Sequence, residues 1–182
     1  MKSRIAIICA LSAANGVLGT LVWQAAMAPQ PAPQPLDLST CDTTPSYDIG
    51  CDVEAPAGFN EAIQSAADEF GVDPWVLAAT AYRESDCRPG VTGAAGEIGM
   101  FQVHPRWWSD ALKSEGIIKS DSDLYNMETN IRAGAWIFSN IQRRVGDDIW
   151  TMFRTYNGSG PAARAYATAQ VAALNTYSYG AF

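Results

Sequence analysis

Apolar positions in the second half of this chain recur at spacings of three and four, with no convincing run at a spacing of two. Met127, Ile131, Gly134, Phe138, Ile141 and Val145 follow the helical period and predict one long core helix. Gly134 and the alanines beside it leave that helix narrow, fit for another helix to pack closely. Phe59 to Phe70 is amphipathic and meets Gly71, a residue suited to the left-handed position just past a helix. Asp73-Pro74 is a start signal, with Asp as N-cap and Pro in the first turn. It opens a helix whose Leu77, Ala78, Ala81 and Tyr82 share one face. Pro105 to Leu112 reads as a short helix carrying Trp107 and Trp108. Asp148 to Tyr156 reads as another, with Ile149, Met152, Phe153 and Tyr156 on one side. Pro161 begins a last, alanine-rich helix to about Leu174. With no internal repeat and no second domain, the fold class is mostly α, a compact helical domain over residues 58–182.

The first residues follow a different pattern. Lys2 and Arg4 precede a nearly apolar run, residues 5–23, and together they make an export segment over residues 1–28. The run would span roughly 28 Å as a helix, close to the thickness of a bilayer core. Ala26-Met27-Ala28 has the small-x-small form of a cleavage site, but Pro29 follows it and hinders cleavage. Residues 1–28 are therefore read as a signal peptide or a signal anchor, and 5–23 as the stretch that would hold the inner membrane. Ser12, Asn15, Gly16 and Thr20 weaken that hold. Residues 29–57 form a Pro-rich linker and lead-in segment. Pro29 to Pro35 makes a semi-rigid spacer about 20 Å long, and 36–57 is polar and turn-rich.

Charge narrows the partners. The net charge is −7, and beyond the export segment 10 basic residues face 19 acidic ones, a net of −9. Such a surface has no electrostatic footprint for nucleic acid or anionic lipid; a neutral polysaccharide suits it. Cys9 lies in the export segment. Cys41, Cys51 and Cys87 fit an exported protein, where disulfides persist. Being three, they form at most one internal bridge, Cys41–Cys51 or Cys51–Cys87. His104 is the only histidine, and without a second ligand nearby no metal or cofactor is assigned.

Candidate chemistry sits at the end of the second helix. Glu84-Ser85 closes it at the mouth of a loop with glycines at 93, 96 and 99, then Met100-Phe101-Gln102. A carboxyl at the end of a buried helix is partly desolvated, which raises its pKa and suits it to general-acid work.

Four motifs in order give these residues company: Glu84-Ser85; Gly93-x-x-Gly96-x-x-Gly99-x-Phe101-Gln102; Asn130-Ile131-x-x-Gly134-Ala135; and Tyr156-Asn157-x-x-Gly160. Together, over about Phe59 to Pro161, they resemble the soluble lytic transglycosylase family, lysozyme-like enzymes that cut peptidoglycan. The resemblance implies a lysozyme-like helical domain with Glu84 as catalytic acid and then base. The sugar's own 6-hydroxyl attacks the anomeric carbon and leaves a 1,6-anhydromuramic end. It implies that Ser85 positions the site or substrate, or merely caps the helix, and that Gln102 hydrogen-bonds sugar substituents. It implies that the Tyr156 hydroxyl lies near Glu84, with Asn157 beside it shaping the turn. Ser85, Glu97, Gln102, Tyr156 and Asn157 are read as the substrate-binding set, Glu97 aiding substrate or transition-state charge without acting as a nucleophile. Trp107 and Trp108 either stack on sugar rings or plug the core.

Two departures sharpen the reading. The apolar pair before Gln102 is Met100-Phe101 where the family has Leu-Met. Glu97 stands where many members have a small residue. The loop from Gly96 through Trp108 also resembles that of c-type lysozymes, which carry an aspartate and a similar tryptophan pair. The small transglycosylases of conjugation, pilus and type III secretion machines often carry an acid there too. They share the pattern seen here as Asn130 to Trp136. That subgroup implies glycan strands as substrate and components of such a machine as partners, with the domain in the periplasm. A water-using muramidase is the runner-up, followed by a phage-encoded wall opener and a non-catalytic peptidoglycan-binding module.

Overall fold

The computed structural model describes residues 46–47 and 55–177. The export segment, the proline spacer, and the pairing of Cys41 and Cys51 lie outside the described residues.

Chain signals set the helix ends. α1, Phe59–Phe70, stops where Gly71 turns left-handed at φ 68°, returning its N–H to the Ala67 carbonyl. α2, Pro74–Ser85, starts on Asp73, whose side chain accepts the Trp75 N–H at 2.8 Å. α3, Pro105–Ser114, runs two residues past the expected end. α4, Met127–Val145, is capped by Asn126 accepting from Thr129 N at 2.9 Å. α5, Ile149–Asn157, follows Asp148 as its cap, and α6, Gly160–Tyr177, extends beyond Leu174. A 3-10 helix, Asp121–Tyr125, lies before α4. It has no apolar period and owes its shape to a capping box between Ser120 and Asp123. Among the described residues the only bridge pairs are isolated ones, Thr92 with Ile98 and Ile98 with Val103.

α2 is the axis of the fold, packed against α1, α4 and α6. Residues Val76 to Ala81 are each at most 2% exposed, so this helix is buried all round and not along one face. Ala78, Ala79 and Ala81 make that feasible, since small side chains let neighbours approach from every side. Thr80 survives there by donating its hydroxyl to the Val76 carbonyl. The lead-in segment is tied down at Tyr47, which is buried against Trp75, donates its hydroxyl to Gln64 Oε1 and donates its N–H to Asn60.

The glycine loop is fixed from α4. Asn130, fully buried, accepts the Phe101 N–H at 2.7 Å and donates to the carbonyls of Ile98 and Leu124. Gly99 sits at φ 76°, and any β-carbon there would lie 2.3 Å from the Asn130 amide nitrogen. Gly134 makes room for the loop. A loop residue, Phe101, lies on it: a β-carbon would fall 2.1 Å from the Phe101 ring.

Candidate active site

Glu84 ends α2 half-buried, in the wall of a cleft of about 420 Å³. Directly after it the backbone reverses: Asp86 and Cys87 both take left-handed φ, 54° and 60°. Cys87 is buried and disulfide-bonded. This turn sends the chain into the glycine loop, whose Gly93, Ala94 and Glu97 line the same cleft. Burial pushes the Glu84 pKa above the ordinary carboxyl value. A hydrogen bond from Tyr166 and the charge of Arg83 pull it down, and the charge of Glu97 raises it further.

Glu97 shares the cleft with Glu84, and its charge acts on it. Its Oε2 accepts the Ala95 N–H at 3.0 Å. Beside it, Gln102 takes a left-handed φ of 45° and donates its side-chain N–H to the Gly99 carbonyl. That bond turns the Gln102 carbonyl oxygen the other way. Glu97 Oε2 and Gln102 Oε1 would lie 2.3 and 2.5 Å from a β-carbon on Gly93. Two acceptor oxygens thus converge on a bare backbone position in the cleft wall, an arrangement suited to a ligand rich in N–H and O–H donors.

Two tyrosines stand near Glu84 and direct their hydroxyls differently. Tyr156 lines the cleft and stacks flat on Phe138, ring centroids 4.5 Å apart. Its hydroxyl, however, donates to the Phe101 carbonyl at 2.6 Å and not to Glu84. Burial, then the charge of Glu84, drives its pKa upward. The hydroxyl that reaches Glu84 belongs to Tyr166 of α6, donating to Oε1 at 2.6 Å.

Asn157 lies exposed at the end of α5 and also lines the cleft. Ser85 needs correction as a substrate contact. It is 4% exposed, is not among the cleft's lining residues, and its hydroxyl lies 3.1 Å from the Ala81 carbonyl and 2.9 Å from that of Met100. It clasps the end of α2 to the loop. His104 caps α3, its Nδ1 accepting the Arg106 N–H. Trp108 lines the cleft with its ring edge-on to Trp136, whereas Trp107 is 66% exposed beneath the Arg106 guanidinium.

The family model of the transglycosylase SLT domain matches residues 61–179, more than half the chain. The chain belongs to the transglycosylase SLT family. Its SLT domain is 31% identical over 121 residues to a membrane-bound lytic murein transglycosylase F from Hahella chejuensis (strain KCTC 2396). That alignment covers 62% of this chain and 22% of the relative. The fold is similar to the X-ray structure of an inactive mutant of lytic transglycosylase Slt from Pseudomonas aeruginosa, with a TM-score of 0.62 at 17% identity. The superposition covers 71% of this chain and 25% of the other. The chain thus spans about a quarter of the length of the relatives it matches.

Within the SLT domain, three residues that build the site are not singled out by apolar period: Tyr166, Gln170 and Asn130. A usable signal for the first two is a tyrosine and an amide one turn apart in a run of alanines. For Asn130 it is an uncharged amide in the first turn of a core helix.

Proposed function

We propose that this chain is an exported peptidoglycan lytic transglycosylase, cleaving the β-1,4 bond between N-acetylmuramic acid and N-acetylglucosamine. The observation that carries the reading is Glu84: a carboxyl whose pKa burial raises, in a cleft wall, inside the matched SLT domain. A neutral Glu84 donates its proton to the leaving glycosidic oxygen as the anomeric carbon becomes oxocarbenium-like. The resulting carboxylate takes the proton from the sugar's 6-hydroxyl, which closes the 1,6-anhydro ring without water. Glu97 supplies negative charge across the cleft during the oxocarbenium-like step, and Gln102 accepts hydrogen bonds from sugar substituents. Tyr156 and Asn157 line the same cleft.

Export through residues 1–28 and work in the periplasm agree with the acidic surface and with cysteine usage. Glu97 and the Asn130-to-Trp136 pattern favour the subgroup that opens the wall locally for a conjugation or secretion apparatus, with its components as partners. Among the described residues no helix is long and apolar enough to cross a membrane; residues 5–23 are the stretch proposed to hold the inner membrane.

One observation favours a second reading. Glu84 and Glu97 share a cleft, as the two carboxyls of a hydrolytic muramidase must. The test of the first reading is digestion of purified sacculi by the parent and by Glu84→Gln. The substitution keeps shape and hydrogen bonding but removes the titrating proton. A loss on the order of 10² to 10⁴ in rate is expected; near-parent digestion by the variant contradicts the assignment.

A further inference from the structure

We propose that Tyr166 and Gln170 of α6 form a positioning relay that holds Glu84 Oε1 as a permanent hydrogen-bond acceptor. Oε2 is then the one oxygen left to carry and release the proton. The inference rests on the reading of Glu84 as the acid–base group and assigns how its two oxygens divide the task.

The relay is directional. Gln170 is 2% exposed, and its side-chain nitrogen donates to the Ala79 carbonyl at 3.2 Å, an atom that can only accept. The same nitrogen lies 3.4 Å from the Tyr166 oxygen and supplies its second proton there. With a lone pair engaged by Gln170, the Tyr166 hydroxyl turns its hydrogen to Glu84 Oε1, 2.6 Å away. Tyr166 itself is 8% exposed, with its ring edge-on to Phe153. It stays a phenol throughout, because burial and the neighbouring Glu84 charge hold its pKa far above the ordinary value. It therefore cannot compete for the catalytic proton.

Such a relay answers a demand of the chemistry. A carboxyl that must act first as acid and then as base has to exist as an anion between the two steps. Burial alone raises its pKa and disfavours that anion. The groups facing Glu84 are Arg83 on its own helix, Glu97 from the loop, Tyr156 from α5 and Tyr166 from α6. Tyr156 spends its hydrogen on Phe101. Among the described residues Tyr166 is the one that donates a hydrogen bond to the carboxylate, and hydrogen bonds to an ionised group are the strong ones.

The test is a ¹³C NMR titration of the Glu84 carboxyl in the parent, Tyr166→Phe and Gln170→Met proteins without substrate, alongside kcat and KM on peptidoglycan across pH. Phe keeps the ring on Phe153 and removes only the hydroxyl. In Tyr166→Phe the Glu84 titration and the alkaline limb of kcat/KM move to higher pH. At the parent's optimum kcat falls about tenfold, as expected for loss of one charge-assisted hydrogen bond, with KM within about twofold. Gln170→Met moves the titration the same way by less. An unmoved Glu84 titration in folded Tyr166→Phe overturns the relay; should that variant fail to fold, an unmoved titration in Gln170→Met does so. If the titration moves but the parent releases nothing from peptidoglycan, the relay stands and the functional reading falls.

Discussion

Phe101 lies against Gly134 so closely that a single β-carbon on the helix would meet its ring at 2.1 Å. The contact joins the core helix to the loop that carries Gln102 and Glu97, and Phe101 is fully buried. Its carbonyl also receives the Tyr156 hydroxyl. Packing at this point therefore sets the site's geometry as well as the fold's stability.

Gly134→Ala tests that coupling. Alanine is the better helix former, so a gain in stability would be expected were the position merely helical. The overpacked ring instead costs about 1–3 kcal/mol, and the displaced loop lowers kcat/KM. Thermal unfolding and sacculus digestion measured together check both halves; a variant at least as stable as the parent contradicts the packing account.

The chain's own pattern reached the helices because each carries a local signal. Gly71, Asp73-Pro74 and Asp148 mark ends that the structure keeps within a residue or so. The complete burial of α2 was less legible, since alanine suits a buried and an exposed face alike. The course of the glycine loop was not legible at all. It is decided by Asn130 and Gly134, some thirty residues downstream, through tertiary contacts with no local trace. For the same reason Glu84, Glu97, Gln102, Tyr156 and Asn157 were nameable and meet in one cleft, while the bond from Tyr166 to Glu84, spanning 82 positions, had no signal in period or spacing. Ser85 misleads in the opposite direction, because a hydroxyl beside an acid looks functional whichever way it points.

Glu84→Gln is expected to raise stability while it removes activity. The folded-state pKa of Glu84 lies above the ordinary 4.5, so the fold prefers the neutral carboxyl. Its contribution is fully present below about 4.5 and is lost as pH rises through the folded value. Glutamine is neutral at every pH and still accepts from Tyr166. The melting temperature of the variant should exceed the parent's by a few degrees at neutral pH, and the gap should close below pH 4.5. A gap that is constant with pH contradicts the sign of the shift.

Glu97→Gln should act on pH dependence in the direction opposite to loss of Tyr166. The negative charge of Glu97 raises the Glu84 pKa, so neutralising it lets Glu84 ionise earlier. The alkaline limb of kcat/KM then moves to lower pH, and the rate at neutral pH falls by roughly tenfold, within the range of a single charge contribution to catalysis. A pH–rate profile checks this; a limb that stays in place means the two carboxyls do not sense each other.

The central claim is that Glu84 works alone as acid and base while Glu97 is not a nucleophile. Mass spectrometry of the products released from peptidoglycan in ¹⁸O-labelled water tests it most directly. The account predicts 1,6-anhydromuramic ends free of solvent oxygen, both from the parent and, at lower yield, from Glu97→Ala. Reducing muramic ends carrying ¹⁸O at the anomeric carbon as the sole product would contradict it, and would make Glu84 and Glu97 the pair of a hydrolytic muramidase.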